Sequence, residues 1–285
     1  MSVRILIIYL LFFIHNYSLG QNFSVTTTND AVDANPGNGV CDDGSGSCTL
    51  RAAIQESNAL GGNHTITLVA GNHTLTIAGI GEDGSASGDL DIAADIIING
   101  LTPLTSIIDI DSLDRVFHIL PGGNLSISNT TIKRGYSSRN HGGGFLNQGT
   151  LSITSSHVTE NIATLPDGAF YSGGFGGGIA NYGTLTIFNS TLFLNEAIGG
   201  RGVNGQDGGG GSGSTPGFGG AIYNDLTGII TITNTTISDN NARGGRFSGG
   251  APNNGNWSVA GKQGAGPNGG TGGAAGAGAG GDGGD

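Results

Sequence analysis

Positive charge is scarce in this chain. Ten lysines and arginines stand against 21 aspartates and glutamates, Lys133 and Lys262 are the only lysines, and the net charge is -11. Nucleic acid and anionic membrane surfaces are bound by clustered cations, so both are excluded as partners. Long apolar runs are as rare. The run at residues 5–14 is too short to span a bilayer comfortably, and no other stretch is apolar enough to do so. Helical periodicity is confined to residues 49–60, and cysteine to Cys41 and Cys48. The glycine-rich stretch at residues 200–213 lacks the Gly-Lys-Ser/Thr ending of a phosphate-binding loop. No other motif points to a cofactor.

Glycine is what the chain has instead, at 58 of 285 residues, where about 7% is ordinary. Plain disorder is excluded for residues 60–240, because Ile, Leu and Val recur there with strand periodicity. An acidic, lysine-poor chain rich in Thr, Asn and Gly reads as an extracellular β-protein. Residues 1–20 present Arg4, the apolar run, then Ser18 and Gly20 before Gln21, which is the order of a signal peptide and its cleavage site. In an exported chain Cys41 and Cys48, seven apart across DDGSGS, read most simply as a disulfide. A metal site is the rival, but no histidine lies nearby to complete one.

Internal repetition decides the architecture. Residues 142–154, GGGFLNQGTLSIT, return as 176–187, GGGIANYGTLTI, and as 219–232, GGAIYNDLTGIITI. Between them run 11-residue units starting at Leu125 (LSISNTTIKRG), Leu151 (LSITSSHVTEN), Leu185 (LTIFNSTLFLN) and Ile230 (ITITNTTISDN). The first, third and eighth positions are apolar. The first and third share a strand face, Ser or Thr between them faces out, and the eighth opens a second strand after a corner. An all-β stack of short strands is expected. Asn161, Asn195 and Asn240, with Gly135 in the first unit, are expected at a left-handed turn position. Asn147, Asn181 and Asn224 are expected to form a ladder from one coil to the next. The gaps at 136–141, 162–175 and 196–218 absorb almost all the length variation, which puts the loops on one side, often the binding side. Phe170, Tyr171, Phe175 and Phe218 punctuate them. Residues 241–285 begin where another insertion is due, and no second half-unit closes it, so the chain is expected to be a fragment of a longer protein.

Residues 49–60 predict the one helix, with Leu50, Ala53 and Ile54 on one face, Ser47 or Thr49 at its start and Gly61 and Gly62 at its end. Ahead of a β-stack it is placed to cover the open end. Asp30, Asp33, Asp42 and Asp43 match no calcium-loop spacing and read as solvated turns. His64 and His73, in GNHTITL and GNHTLTI, have no third partner at ligand spacing and read as exposed strand residues. The best candidates for a catalytic cluster are Asp109, Asp111, Asp114, Arg115 and His118, because Asp109 and Asp111 share a face if they share a strand. A turn with a surface ion pair is the plainer reading, and neither a catalytic residue nor a metal ligand is assigned.

CTLRAAIQESNA, residues 48–59, resembles the Cys-Ser-Leu-Arg-Glu-Ala motif near the N-terminus of large exported bacterial proteins, with Ala52 or Ala53 where glutamate is usual. TIAGIGEDGSASGDLDI, DRVFHI and GGGIANYGTLTI are similar to the same proteins further along. GGAI at residues 219–222 and the Ile/Val/Leu-x-x-Asn endings resemble the repeats of polymorphic outer-membrane proteins. The resemblance, over roughly residues 25–240, implies a right-handed parallel β-helix of the pectin-lyase-like type. It implies surface or secreted proteins with varied C-terminal anchors, which would lie beyond Asp285. Cys41 and Cys48 match the family's flanking cysteines, and no catalytic residue carries over. The expected organisation is a signal peptide (1–20), a strand, disulfide loop and capping helix (21–60), a β-helix (61–240) and a Gly-rich tail (241–285).

The expected function is non-enzymatic. An adhesive or structural protein would meet an extracellular ligand, a glycan or a host or cell surface, through its variable loops. A polysaccharide lyase or glycosidase is the alternative from the same fold, since fold does not dictate function. For that reading Glu160, Asp167, Glu196, Asp207, Asp225 and Asp239 are scattered. Ice binding through Thr65/Thr67, Thr74/Thr76 and Thr231/Thr233 is a third reading, against which irregular spacing and Ser126, Ser128 and Ser152 argue.

Overall fold

The computed structural model describes residues 20–138, 141–165, 173–200 and 215–245. Residues 1–19 of the expected signal peptide, Asp167, Phe170, Tyr171, Asp207 and all of the tail after residue 245 lie outside the described residues. Among the described residues, one helix, α1 (Leu50–Leu60), accompanies short strands that pair only in parallel. The first sheet stacks Asn22–Ser24, Asn63–Thr67, Asp95–Asn99, Asn124–Ser128, Thr150–Thr154, Thr184–Phe188 and Ile229–Thr233. The second stacks Gly71–Thr74, Ser106–Asp109, Thr131–Lys133, His157–Thr159, Thr191–Phe193 and Thr236–Ser238. The third contains Leu90–Ile92, Phe117–Ile119, Phe145–Asn147, Ile179–Asn181 and Ile222–Asn224. A fourth contains Tyr136–Ser137, Ile162–Thr164, Glu196–Ile198 and Asn241–Arg243, and Gly174–Phe175 pairs with Gly217–Phe218. From Asn124 on the chain visits the first, second, fourth and third sheets in turn and returns to the first; the two passes before it go from the second directly to the third. Neighbours in each sheet therefore come from consecutive passes, as a parallel β-helix requires.

The repeat spacing is the pairing register. Leu125, Leu151, Leu185 and Ile230 are partners, and so are Ile132, Val158, Leu192 and Ile237. Inward rows are dry: Ile66, Ile98, Ile127, Ile153 and Ile187 form one ladder and are fully buried. Burying each such side chain contributes roughly 1.5–3 kcal/mol. In the last pass Ile230, Ile232 and Ile237 are exposed, because no described strand lies over them. The same register corrects the histidines. His64 pairs with Ile96 and His73 with Ile108, so both head apolar rows and are buried. Strand alternation turns the neighbouring threonines outward instead.

Each 11-residue unit holds two left-handed residues. Asn129, Ser155, Asn189 and Asn234 have φ of 47° to 56°, and Arg134, Glu160, Leu194 and Asp239 have φ of 54° to 57°. Asn161, Asn195 and Asn240, expected at the left-handed position, come one residue later and have other work. Asn161 Nδ2 donates to Asn195 Oδ1 at 2.9 Å, and Asn195 Nδ2 to Asn240 Oδ1 at 2.9 Å. The backbone N–H groups of Asn161 and Asn195 reach the same oxygens at 3.2 and 3.0 Å. Asn147, Asn181 and Asn224 make the expected ladder, with Nδ2–Oδ1 distances of 2.6 Å at both steps. True glycine positions are Gly142, Gly176 and Gly219, at φ of 57°, 65° and 63°, where a Cβ would sit 1.9 to 2.1 Å from a carbonyl oxygen three residues on.

The fourth sheet is absent from the sequence reading. Residues 136–141, 162–175 and 196–218 are not wholly loop, for each opens with a strand, and Asn241–Arg243 carries the stack past Asn240. The signal was a small residue two positions after each closing Gly or Asn: Ser137, Ala163, Ala197 and Ala242, all in register. Helix α1 begins at the expected Thr49, whose Oγ1 accepts the Ala52 N–H at 3.0 Å, and ends at Gly61. It is buried all round from Leu50 to Ser57 rather than on one face. Its polar residues have partners on the outer side: the Arg51 guanidinium meets Asp30 at 2.7 Å and donates to the Ser85 and Gly88 carbonyls at 3.0 and 2.8 Å, and Glu56 accepts the Gly37 and Gly39 N–H groups. Cys41 and Cys48 are disulfide-bonded.

Truncating the middle of a ladder tests how much it holds. Asn195 is fully buried and also donates to Val158 O at 2.9 Å. Asn195→Ala orphans polar groups on the passes before and after, and should lower unfolding free energy by about 3 kcal/mol in urea titrations. Ser126→Ala, on the outer face, should change it by less than about 0.5 kcal/mol.

Candidate functional site

The five charged residues singled out in the sequence do not form one cluster. Asp109 ends its strand and is buried, whereas Asp111 lies beyond it at φ 48° and is exposed, so the shared-face expectation fails. Arg134 bridges them instead. Its Nε approaches the two Asp109 oxygens at 2.9 and 3.0 Å, and its Nη1 lies 3.0 Å from Asp111. Lys133 Nζ stands 3.5 Å from Asp109. Burial pushes the Asp109 carboxyl upward, but the Arg134 bonds, the Asp111 N–H and Lys133 outweigh it, and the group sits below 3.8. All of its lone pairs face cations or N–H groups, so it is a structural anchor between consecutive passes.

The other three join groups that sequence spacing did not bring together. Asp91 and His118 are direct partners on neighbouring strands of the third sheet. His118 Nδ1 lies 3.3 Å from Asp91 Oδ1 and 3.5 Å from Asp83 Oδ1, while its Nε2–H donates to Gln148 Oε1 at 3.1 Å. Asp91 is fully buried. Its Oδ2 accepts the Ser85 N–H at 2.9 Å, and its Oδ1 is the ion-pair partner of His118. Burial acts to lower the His118 pKa, and Asp91 and Gln148 outweigh it, so the pKa is raised. Arg115 Nε lies 2.9 Å from Asp89 Oδ2, and Arg115 Nη1 donates to His141 O at 3.3 Å. Burial pushes the Asp89 carboxyl up to about 7, against Arg115 and with help from Asp114 and Asp91. Asp114 accepts the Arg115 N–H at 2.8 Å. This cluster lies beneath residues 81–89, which Glu82 stabilises by accepting the Gly84 and Ser87 N–H groups at 2.8 Å each. The signal available in the sequence was GEDGSASGDLDI, whose acids reach His118 only through the Asp91–His118 register.

A second feature lies where the variable insertions return to the third sheet. His141, Phe175 and Phe218 stack in sequence, with ring centroids 5.4 and 5.2 Å apart and planes within 11° of parallel. Tyr223 packs on Phe175 at 4.6 Å, and Tyr182 meets His141 edge-on, its Oη 2.8 Å from His141 Nδ1. Burial, with Tyr223 and Asp225, pushes Tyr182 up to about 12, and burial with Arg115 lowers His141, so both are neutral near pH 7. Phe218 is 42% exposed and the other four rings are part-buried, which leaves a strip of aromatic faces and edges at the surface. Phe175 and Phe218 were expected in this region. His141, Tyr182 and Tyr223 were not, because only stacking brings them alongside.

The remaining candidates are dispersed. Asp33, Asp42 and Asp43 accept N–H groups of their own loop at 2.8 to 3.3 Å; Asp42 and Asp43 are half-exposed turn residues as expected, whereas Asp33 is buried rather than solvated. Asp30 instead pairs with Arg51 and accepts the Thr76 and Ile77 N–H groups at 2.7 and 3.0 Å. Glu196 pairs with Arg243, Asp225 accepts from Thr227, and Glu160 and Asp239 occupy left-handed corners. The threonines do not form continuous rows. Thr65 is followed along its row by Ile97, Ser126 and Ser152. The Cys41–Cys48 disulfide belongs to an oxidising compartment. Among the described residues no helix is long and apolar enough to cross a membrane. Comparison with family models, with curated proteins and with solved structures gives no match to this chain.

The Asp109 anchor has a pH signature. Its folded pKa lies below the unfolded 3.8, so its stabilisation is complete above 3.8 and is lost as pH falls through the folded value. Asp109→Asn should cost about 1–2 kcal/mol at pH 7, the lower part of the charged range because Arg134 is 39% exposed. Melting curves of both proteins from pH 7 to pH 2 should show the gap closing below about pH 4.

Proposed function

We propose that this chain is an exported, non-enzymatic protein of the extracellular space or cell surface, built as a right-handed parallel β-helix with α1 as its N-terminal cap. It recognises a neutral glycan through the aromatic strip His141, Phe175, Tyr182, Phe218 and Tyr223. The strip is the observation that carries this reading. Rings stacked about one strand spacing apart present apolar faces and edges, with Tyr and His polar atoms beside them, and a pyranose ring offers the matching combination of C–H faces and hydroxyls. A net charge of -11 disfavours acidic polysaccharides. Phe175 and Phe218 directly follow, in sequence, the stretches where the repeats differ most in length. The disulfide, the weakly charged composition and the resemblance to exported surface proteins support the location.

A polysaccharide lyase or glycosidase draws on one observation, the Asp89 carboxyl held near pH 7 beside Arg115. Asp89 is only 4% exposed, however, which gives a polysaccharide no access to it.

The test is a panel of neutral and acidic oligosaccharides probed with the wild-type chain and with Phe218→Ala/Tyr223→Ala. Binding of at least one neutral glycan should weaken tenfold or more in the double variant, as loss of aromatic contact predicts. Binding by neither protein, or by both equally, rejects the strip as a glycan site. Release of reducing ends or unsaturated sugars by the wild type rejects the non-enzymatic reading.

A further inference from the structure

Beneath residues 81–89 a buried carboxylate faces a histidine at ion-pair distance, with a second carboxylate beside them. His118 Nε2–H is committed to Gln148 Oε1, which turns the Nδ1 side of the ring towards Asp91 Oδ1 and Asp83 Oδ1. Those three electron-rich atoms converge, and their ligand atoms all lie within 4.8 Å of one another. Asp91 Oδ1 is buried at this point with His118 Nδ1 3.3 Å away and no aligned hydrogen bond, whereas its sister oxygen accepts the Ser85 N–H. A protonated His118 offers one N–H to these two oxygens, whereas a cation at the same point meets all three atoms at once.

The spacing is compatible with a bound metal ion. Donors about 2.1 Å from a tetrahedral cation stand about 3.4 Å from one another, and His118 Nδ1 stands 3.3 and 3.5 Å from the two carboxylate oxygens. The outer arrangement also fits. A ligating imidazole normally donates its second N–H to an acceptor that orients the ring, and Gln148 is placed to do this. Imidazole with carboxylates suits Zn2+ and its first-row neighbours, whereas Ca2+ and Mg2+ prefer oxygen donors throughout. The donors are held on different segments: Asp91 and His118 by strand pairing, Asp83 by the segment that Glu82 and Arg51 stabilise. Asp83 is exposed, so the position is open to solvent on one side.

We propose that Asp83, Asp91 and His118 form a binding site for Zn2+ or a similar divalent transition metal, tying residues 81–89 to the third sheet. Three protein donors leave the fourth position to water. The site does not depend on the glycan reading and lies on different residues.

The test uses the untagged chain, stripped with chelator and titrated with Zn2+ in a calorimeter and in thermal melts. One equivalent should bind, and Tm should rise by about 5 °C at a hundredfold excess over Kd. Asp83→Asn, an exposed substitution that leaves the core untouched, should weaken binding at least tenfold. His118→Gln should abolish the one-equivalent phase. Co2+ should give the visible absorption of a four-coordinate site in the wild type and not in His118→Gln. No stoichiometric uptake would overturn the proposal, as would equal uptake by wild type and both variants, or a Tm rise with Ca2+ but not Zn2+. In the first case the cluster is an imidazolium held between carboxylates.

Discussion

Because the described strands pair in parallel with their counterparts from neighbouring passes, each paired side chain lies about 4.8 Å from its own equivalent. A slip of one residue would exchange inward and outward rows, so register and core composition determine each other. This condition explains both kinds of inward row. Isoleucine fills one because a branched apolar chain packs on its own copy, and asparagine fills two others for a different reason. An amide offers a donor to one neighbour and an acceptor to the other, so Asn147, Asn181 and Asn224 can bond in series, as can Asn161, Asn195 and Asn240. A carboxylate in those places would meet only another carboxylate.

Chemistry collects where the rows are broken. The late passes are regular, and their outward equivalents stack into an aromatic strip. The early passes are irregular: helix α1, residues 81–89 and the first strands of the third sheet pack over one another. Their buried charges, Arg51, Asp89, Asp91 and Asp109, are each held by a different partner. Buried ions are costly without such partners. One end of the molecule therefore concentrates ionisable groups, while the other offers rings and neutral amides.

Much of this was legible from residue types alone. Units starting at Leu125, Leu151, Leu185 and Ile230 predict strands, inward positions and their partners, since period-2 alternation and an exact repeat leave one register. The Cys41–Cys48 bond and helix α1 follow from short-range spacing and capping. Other features depend on which row stacks on which. His64 and His73 look like polar strand residues until pairing with Ile96 and Ile108 turns them inward. The fourth sheet is invisible because two or three residues have no periodicity of their own and are strands only through their neighbours. Asp109 and Asp111 belong together on paper, yet a left-handed corner separates them. Asp91 and His118, 27 residues apart in sequence, become direct partners. The sequence by itself determined what repeats, because repetition is local and periodic. Tertiary structure decided what meets, because contact across passes depends on insertions whose lengths follow no rule.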